Sequence, residues 1–264
     1  MAAPVLSDYR YMYKDTGILL NGDWDGSYPG FIDVEKVSGL DLPDFEPASY
    51  DNDGQHGGNT FVKYAKQRTI VIEGVMYTTA ASADVFLEKL IANFLPDNVS
   101  WPFYFKPSGV AQRYVNAKAI ALKSDIDTAR RIGSAPIQIQ LVAEDPTKRV
   151  DNANRVMTSG TNYTIANTGT IATYPIVTIV GAFTAITFTN NDTAKTLTIT
   201  TTRIAGDVTV VDFRQRSVTI NGIQSSSVAS GTWWPIMVGG DSVKATVTGG
   251  PPTSITMASY SGWL

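Results

Sequence analysis

The chain has 264 residues, of which 43% are hydrophobic and 17% charged, enough apolar material for a packed core and too little charge for a disordered chain. It has no cysteine, which excludes disulfides, cysteine–zinc sites and thiol catalysis, and its net charge of −3 argues against a nucleic-acid binder that relies on phosphate attraction. No run approaches the roughly 18 apolar residues of a membrane span, and the start MAAPVLSDYR lacks the segments of a signal peptide, so synthesis in a cytoplasm without membrane insertion is expected.

Charge is distributed unevenly. Residues 1–53 carry eleven acidic and three basic residues, residues 54–150 eight and twelve, and residues 151–264 five Asp, no Glu and six basic residues. Ordinary solvated loops account for this; a surface that must not stick to DNA is the sharper reading.

Taken in chain order, Thr69–Val75 (TIVIEGV) reads as a strand. The following segment Ser82–Phe94 places Phe86, Leu87, Leu90, Ile91 and Phe94 on one helical stripe, with Ser82 as N-cap and Pro96 as terminator. Ala119–Lys123 and Pro136–Ala143 read as strands, the latter with Ile137, Ile139 and Leu141 on one face. The polar, turn-rich stretch at 144–170 marks a boundary near its start, giving domains 1–148 and 149–264.

Residues 151–264 hold 23 Thr in 114 residues, a β-branched bias suited to half-exposed strands. About eight short strands are expected in the second domain: Tyr174–Val180, Ala185–Thr189, Thr196–Thr201, Asp207–Asp212, Ser217–Ile220, Trp233–Val238, Ser242–Thr248 and Ser254–Tyr260. Asn190 to Asp192 and Asn221-Gly222 supply tight turns. The fold class is therefore mainly β: an N-terminal β-rich domain with one packed α-helix, then an antiparallel β-sandwich.

No constellation for catalysis emerges. The single histidine, His56, sits in the loop DNDGQHGG without a G-x-S-x-G partner and reads as a loop residue. Asp51-Asn52-Asp53-Gly54 looks superficially like a calcium loop, but the positions that need Gly and Glu are His56 and Val62. No phosphate-cradling glycine motif occurs. No catalytic, cofactor or metal residues are assigned, and the protein is not expected to be an enzyme. Trp101, Phe103, Tyr104 and Phe105 cluster after the helix, and Trp233-Trp234 stand in the sandwich. These aromatics fill a core or an interface, or else form a sugar platform.

Two stretches resemble the distal tail proteins of siphophages. The first is QRTIVIEGVMY (67–77), opened by Arg68, then the helix ending LIANFLPD and the strand IQIQLVAEDPTKR (137–149). The second comprises YPIVTIVGAFTAITFTN, RIAGDVTVVDFRQRSVTINGI and WWPIMVGGDSV, in which Pro175, Gly181, Gly206, Asp207, Asp212, Asn221, Gly222, Trp233 and Gly239 stand at the structural positions of the family's galectin-like sandwich. The resemblance spans roughly residues 60–264 and is one of fold, with no galactose site to transfer. It implies a hexameric ring at the distal end of the tail, with the N-terminal domains as its belt. This ring would join the tail tube protein to the tail hub protein and to fibres or receptor-binding proteins. The genome would pass through a lumen that the acidic first 53 residues help to make repellent. A carbohydrate-binding module for the host wall, or another tube or completion subunit of the tail, are the competing expectations.

Overall fold

The computed structural model describes residues 4–15, 18–21, 29–51, 58–124 and 133–264. The chain separates into two compact units, Met1–Lys148 with Leu264, and Arg149–Trp263.

The first unit contains β1 (Tyr11–Tyr13), β2 (Leu19–Leu20), β3 (Gly30–Ser38), β4 (Phe45–Asp51), β5 (Gly58–Ala65), β6 (Arg68–Thr78), the helix α1 (Ala83–Asn93), β7 (Trp101–Phe105), β8 (Arg113–Ser124) and β9 (Ser134–Ala143). Its sheet runs in the order β2-β1-β7-β8-β9-β6-β3, and every neighbour is antiparallel. β4 and β5 pair only with each other, as a separate ribbon.

Period-two alternation explains the centre of this sheet. β6 turns Arg68, Ile70, Ile72, Gly74 and Met76 inward, and β9 does the same with Ile137, Ile139, Leu141 and Ala143. A Cβ at Gly74 would lie 2.3 Å from the Asp33 carbonyl, so the bulge of β3 between Val34 and Lys36 requires glycine opposite it.

The helix packs Phe86, Leu87, Leu90 and Phe94 into the core, worth roughly 1.5–3 kcal/mol each. Two expectations about it are corrected. Ile91 is 44% exposed, because it lies at the margin of the stripe and the sheet covers only the centre. Ser82 makes no capping hydrogen bond: it ends a 3-10 turn (Ala80–Ser82) with φ −109° and ψ −1°, not in the extended backbone that aims a cap hydroxyl at the helix. Asp84 in the first turn complements the helix dipole instead.

The second unit contains β10 (Lys148–Asp151), β11 (Arg155–Val156), β12 (Asn162–Ile165), β13 (Ile176–Val180), β14 (Phe183–Asn190), β15 (Lys195–Arg203), β16 (Val208–Asp212), β17 (Ser217–Ile220), β18 (Ile223–Gln224), β19 (Ala229–Gly231), β20 (Asp241–Thr248), β21 (Ser254–Ala258) and β22 (Tyr260–Trp263). One sheet has the order β11-β21-β13-β16-β17-β18 and the other β12-β20-β14-β15-β19, while β10 pairs with β22. Val177, Ile179 and Val211 from the first sheet share a core with Ile186, Phe188, Leu197 and Ile199 from the second, which makes this unit a β-sandwich. The expected fold class, mainly β with one helix and a sandwich, is what the chain adopts.

Trp233–Val238, expected as a strand, is irregular. Only Ile236 pairs there, in an isolated bridge to Thr173. Pro235 cannot donate to a ladder, and Gly239 and Gly240 turn the chain at φ 94° and 95°. The segment instead delivers Trp234, fully buried, into the sandwich core. The expected strand Ser254–Tyr260 breaks at Ser259 into β21 and β22.

Candidate interaction surfaces

The sequence-marked residues divide into three groups by what the fold does with them. Arg68, at the head of β6, is 3% exposed. Its guanidinium donates through Nε and Nη2 to the Pro146 carbonyl at 3.2 and 3.1 Å, and through Nη1 to the carbonyls of Gly39 and Asp41 at 2.6 and 2.5 Å. Lys148, also buried, donates to the carbonyl between these two, that of Leu40, at 2.9 Å. Burial lowers the Arg68 pKa. Lys148 is lowered to about 8 by burial first and then by the charges of Arg68 and Arg113. This pair of cations fixes the turn that joins β3 to the ribbon β4–β5.

Gly181, Gly206, Asp207, Asn221 and Gly222 meet at one end of the six-stranded sheet. The Gly181 N–H donates to the Asp207 carbonyl at 2.9 Å. Asn221 donates through Nδ2 to Asp207 Oδ1 at 3.0 Å and accepts from the Val208 N–H at 2.8 Å. The Asn221 amide foremost, then the Ile204 N–H and the nearby Arg203 charge, hold the Asp207 carboxyl below the usual carboxylate range. Asn221 and Gly222, at φ 49° and 81°, form the expected tight turn. Pro175 and Asp212 sit at the opposite end of the same strands. There the Pro175 carbonyl accepts from Phe213, and Asp212 Oδ1 accepts from the N–H groups of Arg214 and Gln215 at 2.8 and 2.9 Å. Gly239 donates to the Asn167 carbonyl at 2.9 Å.

Trp101, Trp233 and Trp234 form no flat platform. Trp234 is fully buried with its ring 4.6 Å from that of Phe213, and Trp233 is half-buried and meets Phe213 edge-on at 5.6 Å. Trp101, half-buried, donates to Asp97 Oδ2 at 2.9 Å, while Phe103, Tyr104 and Phe105 are buried. This geometry speaks against a sugar-stacking face.

His56, and the Asp51–Gly54 turn from residue 52 onward, lie outside the described residues. Among the described residues no cluster of three or more His, Asp or Glu could hold a metal ion, and no helix is long and apolar enough to cross a membrane.

Two buried amides carry much of the second unit's architecture, Asn167 and Asn190, the latter in a turn the sequence marked. Asn167 donates to the carbonyls of Ile171 and Ile236 at 2.8 and 3.3 Å and accepts from Gly169 and Gly262 at 3.1 and 3.4 Å. Asn190 donates to Asp241 Oδ2 at 2.8 Å and caps the β14–β15 turn by accepting from Asp192 and Thr193. An isolated Asn between Ala and Thr gives no periodic signal, so sequence reasoning passed over Asn167.

What remains open for a partner is backbone edge and exposed apolar surface. β3 pairs with β6, and its outer edge, apart from the Ile32 carbonyl that accepts from the Asn21 N–H at 2.9 Å, pairs with no strand among the described residues. Beside it, Leu42 and Tyr64 at the base of the β4–β5 ribbon are 70% and 74% exposed.

The chain is thus a two-unit β protein with a helix packed on its first sheet and a carboxy-terminal sandwich. Residues 168–259 match the family model of the siphovirus-type tail component, C-terminal domain. The whole chain is similar in fold to the crystal structure of SPP1 Dit (gp 19.1), a hub adsorption apparatus protein of phages infecting Gram-positive hosts. The TM-score is 0.69 with 16% identity over 98% of this chain and 100% of that one. It is also similar to a chain of the phage P2 baseplate in its activated conformation with calcium, with TM-score 0.58 and 7% identity over 97% and 98% of the two chains. The strontium form of the same baseplate gives 0.55 and 8% over 96% and 98%. A search of curated protein sequences finds no match. The resemblance to distal tail proteins read from the sequence is thereby borne out.

Proposed function

We propose that this protein is a distal tail protein: a structural subunit that forms a hexameric ring at the end of a siphophage tail tube and joins the tube to the hub, fibres or receptor-binding proteins. The observation that carries this reading is the coincidence of a tail-component family match in the second unit with a full-length fold likeness to a hub protein. In this reading residues 1–148 are the belt and residues 149–264 the outward galectin-like attachment domain. The positions marked in the sequence, Pro175 through Gly239, keep the sandwich's turns in shape.

Closed cyclic symmetry gives a physical purpose to the part of β3's outer edge that no described strand covers. In a ring, each such edge is covered by a neighbour, so backbone donors and acceptors are satisfied and none is left to template aggregation. Asp33, Glu35, Asp44 and Glu46 are exposed members of the acidic first segment, and a lumen bearing them repels the passing genome.

The test is electron microscopy of the purified protein at high concentration, with class averages analysed for rotational symmetry and, in parallel, antibody labelling of intact tails. Six-fold rings with label at the tail tip support the proposal. Monomers together with label elsewhere on the virion, or on none of it, reject it.

A further inference from the structure

In the sandwich, a groove of about 470 Å³ opens where the last residues of β15 face the edge strand β18 and the 3-10 turn Ser226–Val228. Its size falls in the range of roughly 300–1,000 Å³ typical of small-molecule sites. Thr201 and Arg203 line one side, and Ile223, Gln224, Ser227 and Val228 the other.

Arg203 is the unusual member. Its Nε is buried and without a hydrogen-bond partner, and its nearest carboxylate oxygen, Asp207 Oδ2, lies 3.8 Å from Nη1, beyond hydrogen-bonding length. Asp207 does not need it, because its two oxygens already accept from Asn221 and from the Ile204 N–H. The contrast with Arg68 is direct: that guanidinium feeds three backbone carbonyls, whereas this one makes only a loose ion pair with Asp207. Thr201, Gln224 and Ser227 likewise make no side-chain hydrogen bond to any described residue. No aromatic ring lines the groove, so a neutral sugar would lack its usual stacking surface, while Ile223 and Val228 offer apolar contact for C–H groups.

We propose that this groove binds a small polyhydroxylated ligand carrying one carboxylate or phosphate group. The anion sits on the Arg203 guanidinium, and the ligand hydroxyls meet Thr201, Gln224 and Ser227. A planar fork of donors suits both oxyanions, and charge-assisted bonds in a partly desolvated groove are the strong kind. The site belongs to the sandwich alone and stands whether or not the chain forms a ring.

The experiment is saturation-transfer NMR with calorimetry on the full chain, using glucuronate, glycerol 1-phosphate and glucose as probes. Binding of either anionic probe, with glucose at least tenfold weaker, supports the site, and whichever anion prevails identifies carboxylate or phosphate as the natural group. R203Q is expected to weaken the anion at least tenfold, and R203K, which keeps charge but loses the fork, to fall between. Q224A, with the guanidinium intact and the exposed edge strand little disturbed, is expected to weaken it a few-fold and serves if R203Q fails to fold. No transfer to any probe at millimolar concentration overturns the proposal, as does binding that R203Q and Q224A leave unchanged.

Discussion

Arg68 and Lys148 grip three consecutive carbonyls of one turn: the guanidinium takes those of Gly39 and Asp41, and the ammonium takes that of Leu40 between them. Two buried cations thus stand side by side, satisfied by backbone dipoles rather than by carboxylate contacts. Replacing Arg68 with Met would leave the Gly39, Asp41 and Pro146 carbonyls without this donor. Hydrogen bonds to charged groups are worth about 1.5–3 kcal/mol, so R68M should lose about 3 kcal/mol or more in urea unfolding. R68K should lose less, because it retains the charge but not the fork.

The same pair predicts a pH dependence. Lys148 is lowered from 10.5 to about 8 in the fold, so between these values the unfolded chain binds more protons than the native one. Stability therefore rises with pH across that window, by neutralisation of a charge the fold disfavours. Tyr11 and Tyr13, raised above 10.0 by burial, act in the opposite sense at higher pH, which leaves pH 8 to 10 as the clean interval. Denaturation midpoints should climb relative to K148M across it. Parallel curves for the two proteins would show that Lys148 titrates normally.

In the sandwich, Asn167 is fully buried with both ends of its amide engaged. N167L conserves approximate volume but leaves the Ile171 carbonyl and the Gly169 N–H without the amide partner, while the Ile236 carbonyl keeps its bond from the Thr173 N–H. A cost of about 2–4 kcal/mol is expected, since an unmade buried hydrogen bond costs more than a made one contributes. Differential scanning calorimetry of the full chain should show this loss in the transition of the second unit, with the first unit's unmoved.

Two glycines separate crowding from conformation. A Cβ at Gly74 meets the Asp33 carbonyl at 2.3 Å in the middle of the sheet, whereas at Gly206, φ 91°, it meets nothing within 4 Å. G206A should cost about 1–2 kcal/mol, the price of a left-handed backbone. G74A should cost more, because the β3–β6 register itself must shift. Equal melting temperatures for the two variants would contradict this.

How much was legible beforehand follows from what each signal encodes. The alternation in TIVIEGV and PIQIQLVA, the stripe of Phe86, Leu87, Leu90 and Phe94, and the Asn221-Gly222 turn are local, because side-chain direction repeats every two or 3.6 residues and a tight turn is built from its own backbone. Where a local pattern misled, a partner was responsible. Trp233–Val238 has strand composition, but Pro235 and the buried Trp234 serve the core rather than a ladder. Ile91 fits the stripe, but the sheet does not reach it. The short strands β1, β2 and β7 carry too few residues for periodicity and are held by pairing.

The amino-acid sequence by itself determined that the chain is mainly β, where its single described helix lies and which faces turn inward, since these depend on neighbours within a few residues. It also carried the resemblance to tail proteins, as an order of turns and strands. The tertiary structure alone decided that β9 lies between β8 and β6, that most of β3's outer edge has no partner strand among the described residues and that Asn167 ties together segments up to 95 residues apart. It likewise decided that Arg68 feeds three backbone carbonyls while Arg203 makes only a loose ion pair with Asp207 and keeps an unpaired Nε. These are matters of register and burial between distant segments, and no local period specifies which distant partner a hydrogen bond will find.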